Sequence, residues 1–104
     1  MAGKGNEKHQ REIPTARTIR RACKNELYRA AKRLDTRLTD EQMEQAYRLY
    51  IEKVFGNIYW IAENGNNRKL LADWWEENVC ADIAALWNVS PHSLAKAFRD
   101  AFGG

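Results

Sequence analysis

The run from Cys80 to Leu94, CADIAALWNVSPHSL, constrains this chain more than any other stretch, because its spacing predicts two helices joined by a tight turn. Where two helices cross steeply, a side chain larger than Ala holds them apart, and Ala84 stands at that position. Four residues on, Asn88 is placed where the chain must turn with positive φ, a conformation that Asn tolerates better than most residues. Val89 then plugs the turn, Ser90 can cap the next helix, and Pro91 suits its first turn because that position has no use for an amide hydrogen. The pattern is that of a helix-turn-helix.

From Pro91 onward, Leu94, Ala97, Phe98 and Phe102 recur at helical spacing and predict a buried face. His92, Ser93, Lys96 and Arg99 are left facing outward, and with Ser90 they are the candidate DNA-reading residues of this helix. The stretch Asp82-Ile83-Ala84, Val89-Ser90-Pro91, Leu94, Phe98-Arg99 and Phe102-Gly103 resembles one helix-turn-helix of the AraC-like transcription regulators. The resemblance spans about Val79 to Gly103 and includes the aromatic-Gly pair that closes the recognition helix. It implies a helix 91–102 that enters the major groove of double-stranded DNA. Regulators of that family carry two such motifs in one domain, whereas a single one is visible here, so the motif is carried over without the family's domain architecture or small-molecule sensing.

Charge is distributed unevenly. Residues 1–33 hold ten basic and three acidic residues, net +7, while residues 34–104 hold seven basic and eleven acidic, net −4. The motif therefore sits in the acidic half. Phosphate contacts supply much of the affinity for DNA, so a helix-turn-helix in acidic surroundings needs cations from elsewhere. Arg17, Arg20, Arg21 and Lys24 are the candidates for that phosphate attraction.

Residues 1–14 are almost devoid of apolar side chains and predict a disordered basic tail. From Thr15 to Leu34 there is no Gly or Pro, and Ile19, Ala22, Cys23, Leu27, Ala30, Ala31 and Leu34 fall on one side of a helix. Its remaining faces are mostly Arg and Lys, which serve equally as a solvated surface or as a phosphate-contacting one. Thr39-Asp40-Glu41-Gln42 has capping-box spacing and predicts the start of a second helix. An apolar stripe from Met43 to Ala62, interrupted only by Gly56, predicts a long central core helix. A further helix over Arg68 to Glu77, a break near Asn78, and helices over Val79–Trp87 and Pro91–Phe102 complete a tri-helical unit. Trp74 and Trp75 are adjacent, so a regular helix cannot aim both into one core. The expected fold is all-α: a compact bundle of four to five helices, residues 15–104 forming one domain that ends in the helix-turn-helix unit.

Cys23 and Cys80 are far apart without CxxC spacing, and His9 and His92 stand alone, so no metal site or cofactor is expected. Both cysteines read as small hydrophobic residues. There is no catalytic constellation and no Gly-rich phosphate loop, which argues against an enzyme. No apolar run approaches the ~20 residues of a membrane helix, so a soluble, cytoplasmic protein is expected. The leading reading is a small DNA-binding protein, a transcription regulator or mobile-element accessory factor, with a homodimer raising its affinity. Two others stay open. The unit could be the scaffold of a helical module that binds a protein partner (an antitoxin, inhibitor or adaptor), or the basic first helix could itself be the nucleic-acid surface.

Overall fold

The absence of Gly and Pro from Ala16 to Leu34 gives a long, regular α-helix, α1 (Ala16–Leu34), in a computed structural model that describes residues 13–103. The disordered tail expected over residues 1–14 lies largely outside the described residues. Thr15 caps α1 by accepting from the Thr18 amide, and Asp35 in the left-handed region ends it. Thr39 and Gln42 form both hydrogen bonds of the capping box at the start of α2 (Asp40–Gly56). There follow α3 (Ile58–Glu63), α4 (Arg68–Trp75), a π-helical turn (Glu76–Cys80), α5 (Ala81–Trp87) and α6 (Pro91–Phe102). No strand occurs among the described residues, and the fold is all-α as the periodicity predicts.

The long central helix is broken. At Asn57 the backbone leaves helical dihedrals, with φ −127° and ψ 26°. The Asn57 side chain donates to the Lys53 carbonyl at 2.9 Å, replacing a helical amide with its own and letting the chain bend. Beyond Val54 the apolar stripe is only partly core: Ile58 and Ile61 still pack against it and Ala62 is buried, while Phe55 and Trp60 are exposed.

The break expected near Asn78 does not form. From Arg68 to Trp87 the sequence contains no Gly or Pro, and the helix runs on through the π turn, whose flanking residues Trp75 and Ala81 keep right-handed helical dihedrals. Ala72, Trp75, Val79, Cys80, Ile83, Ala84 and Trp87 are thereby all held in the core. Of the tryptophan pair, Trp75 is fully buried and Trp74 only partly, which is how a helix must divide two neighbours.

The turn after α5 has the expected local chemistry. Asn88 adopts φ 56°, ψ 45°, and the Val89 amide reaches back to the Ala84 carbonyl at 3.0 Å. Ser90 caps α6 by accepting from the Ser93 amide, and Pro91 occupies the first turn. Ala84 and Leu94 are buried, so α5 and α6 meet closely. α6 also packs along α1, and its Phe98 lies flat on Trp75 with ring centroids 3.8 Å apart and planes within 3°. Tyr50 of α2 meets both rings edge-on. This aromatic cluster ties α2, α4 and α6 together. Cys23 and Cys80 are free and buried, and burial pushes their thiols up to about 12 and about 11 respectively. Cys80 Sγ donates to the Pro91 carbonyl at 3.3 Å, a packing role in keeping with its position. No helix among the described residues is long and apolar enough to cross a membrane.

Candidate nucleic-acid interface

α1 carries Arg17, Arg20, Arg21, Lys24, Arg29, Lys32 and Arg33, all exposed, against a single acid, Glu26. The helical period explains the arrangement. Ile19, Cys23, Leu27 and Ala30 are drawn into the core, so Arg17, Arg21, Lys24, Tyr28 and Lys32, three or four residues apart, form a stripe along the opposite side. Arg17, Arg20, Arg21 and Arg33 make no ion pair with any other described residue. Lys24 lies 5.9 Å over the Tyr47 ring of α2, and Lys32 lies 5.5 Å over the Tyr28 ring.

Glu26 does not interrupt this positive surface, because it turns inward and accepts a hydrogen bond from the Tyr50 hydroxyl. Burial raises its carboxyl above the ordinary range, against the opposing pull of the Tyr50 hydrogen bond and of Arg68 and Arg29. Tyr50 is pushed well above its ordinary value by burial and then by the Glu26 charge. The consequence for stability has a definite sign. A carboxyl raised in the folded state favours folding while protonated, below its unfolded value of about 4.3, and that contribution is lost as pH rises through the higher folded value. Glu26→Gln keeps an acceptor for Tyr50 without the buried charge. Its Tm is expected above that of the unmodified protein at pH ~7, with the difference disappearing in acid. Thermal melts by circular dichroism at several pH values check this; a Tm lowered equally at every pH contradicts it.

The second candidate surface, on α6, is differently equipped. His92, Ser93 and Lys96 face outward, but Lys96 pairs with Asp100 at 3.3 Å. Arg99 is turned to the flank, where its Nη2 lies 2.7 Å from Asp73 and 2.8 Å from Glu76, with 28% of its side chain exposed. The two acids raise the Arg99 guanidinium above its ordinary value, and hydrogen bonds from Arg99 and then Lys69 lower the Asp73 carboxyl. Arg99 therefore braces α6 against α4 and the π turn. The Ser90 hydroxyl is occupied by the cap on the Ser93 amide.

The structure separates Arg17, Arg20 and Arg21 from Ser90, His92 and Ser93 at the start of α6. The turn that precedes α6 is fixed to the start of α2: the Trp87 indole donates to the Gln42 carbonyl at 3.0 Å, and the Gln42 side chain donates to the Leu86 carbonyl at 3.4 Å. That end of α2 follows the C-terminal end of α1. The first turns of α1 lie at the other end, where Thr18 and Ile19 share an apolar cavity of about 170 Å³ with Ile58 and Ile61 and with Phe98 and Phe102 of the C-terminal half of α6. Arg17 stands about 25 Å along α1 from its C-terminal end, at 1.5 Å per residue. Arg17, Arg20 and Arg21 are thus brought together with one another, and not with Ser90, His92 and Ser93. Lys24 lies between, on the α2 side of α1.

Two features escaped the sequence reading. Tyr28 was legible as an aromatic residue opposite the apolar side of α1, a position that usually holds a polar residue. Glu26 was legible as a carboxylate beside Cys23 and Leu27, though its partner, 24 residues away, was not. Among the described residues no group of three His, Cys, Asp or Glu could hold a metal ion. No family model, curated protein or solved structure matches the chain.

Proposed function

We propose that this chain is a small nucleic-acid-binding protein that holds a phosphate backbone against the outward face of α1, with α4 to α6 as its scaffold. One observation carries the reading: α1 exposes seven cations, and its one acid is turned inward onto Tyr50. A helix so charged creates a concentrated positive field, to which polyanions are attracted without regard to sequence. From Leu70 onward the chain offers only Lys96 and Arg99 against five acids, and both cations are paired with acids. The arrangement in which α6 enters the major groove keeps the support of exposed His92 and Ser93 and of the resemblance given above, but the two cations on the helix itself, Lys96 and Arg99, are both paired with acids.

The test is fluorescence anisotropy of a labelled oligonucleotide across a salt series. Four to five phosphate contacts along α1 give a slope of log K against log salt of about −3 to −4.5. No measurable binding at about 50 mM salt, or a slope near zero, contradicts the proposal.

A further inference from the structure

We propose that the α1 face takes single-stranded nucleic acid in preference to duplex, with Tyr28 as a platform on which a base stacks. This rests on the nucleic-acid reading above and names the form of the ligand. Tyr28 is 59% exposed in the middle of the cationic stripe, one turn after Lys24 and one turn before Lys32. Nothing in the core requires an aromatic residue there. Lys32 lies 5.5 Å over the ring, the arrangement in which a cation and an aromatic face can share an anionic strand.

A duplex keeps its bases stacked inside and offers an exposed ring only phosphate and sugar, so Tyr28 adds little to duplex binding. A single strand leaves base faces free, and every base has one, so a ring flanked by cations binds without sequence preference. The positive track is also narrow. Tyr47 of α2, under Lys24, is followed outward by Glu44, exposed and paired with Arg48 at 3.1 Å. Glu41 and Glu52 continue that exposed acidic side of α2. A duplex, being wider than a single strand, is expected to extend over this side of α2, where Arg48 offsets only part of the acidic charge.

The experiment compares a labelled single strand of about 20 nucleotides, free of self-complementarity, with the same strand annealed to its complement, at one salt concentration. The single strand is expected to bind at least about tenfold more tightly. Tyr28→Ala is expected to lower single-strand affinity about tenfold and to leave duplex affinity within about twofold, while Tyr28→Phe retains single-strand binding. Unchanged melting curves for both variants separate this from a loss of fold. Duplex binding as tight as single-strand binding, or a Tyr28→Ala variant with undiminished single-strand affinity, overturns the inference while leaving the nucleic-acid reading in place. Binding of neither form overturns both.

Discussion

Reversing three charges on α1, in the variant Arg17→Glu, Arg20→Glu, Arg21→Glu, is expected to weaken nucleic-acid binding by at least about a hundredfold at low salt. Each lost phosphate contact removes about a factor of ten under those conditions, and each new carboxylate adds repulsion. The variant should fold. All three arginines are exposed and without ion pairs among the described residues, and Arg17 lies in the first turn of α1, where a glutamate interacts favourably with the helix dipole. The matched variant on the other surface, His92→Glu, Ser93→Glu, Lys96→Glu, is expected to change binding by less than about threefold, as the region around α6 is already acidic. Anisotropy measured on both variants at the same salt gives the comparison. If the α6 variant suffers the larger loss, the major-groove arrangement is correct and the α1 proposal is not.

Phe98→Ala is expected to cause the largest loss of stability of any single truncation in the bundle. Phe98 is fully buried, stacked on Trp75, edge-on to Tyr50, and 5.1 Å from the Phe102 ring. Truncation removes the burial of the ring and leaves a cavity among three other aromatics, a change that costs about 3–5 kcal/mol. A domain of this size has about 5–15 kcal/mol in total, and each kcal/mol shifts Tm by about 4–8 °C. A fall of about 15 °C or more is therefore expected by thermal circular dichroism. Phe55→Ala, at an exposed position, is expected to cost within about 0.5 kcal/mol. Equal effects from the two substitutions contradict the placement of the core.

What could be foreseen and what could not divides along the range of the interactions. Thr39 with Gln42, Asn88 with Val89, and Ser90 with Pro91 act within a few residues of chain, and each forms the cap or turn that its chemistry predicts. The break at Asn57 depends on a side chain outcompeting a backbone amide, which the apolar period does not register. The continuous helix through Asn78 reflects the absence of any residue that stops a helix, an argument that outweighs the polar run Glu76-Glu77-Asn78.

The candidate sites divide in the same way. That α1 is basic follows from counting, and that its basic residues face outward follows from the helical period. That Arg99 is held by Asp73 and Glu76 required contacts across 26 and 23 residues, which no local pattern encodes. The separation of Arg17, Arg20 and Arg21 from the turn before α6 is likewise a property of the packing, set by Gln42 against Leu86 and Trp87.

The most direct test of the central claim is to record backbone amide chemical shifts while the isotope-labelled protein is titrated with an oligonucleotide at low salt. Shifts concentrated on Arg17, Arg21, Lys24, Tyr28 and Lys32 are the predicted result. Shifts concentrated on Ser90, His92, Ser93 and Lys96, with α1 unmoved, would contradict it.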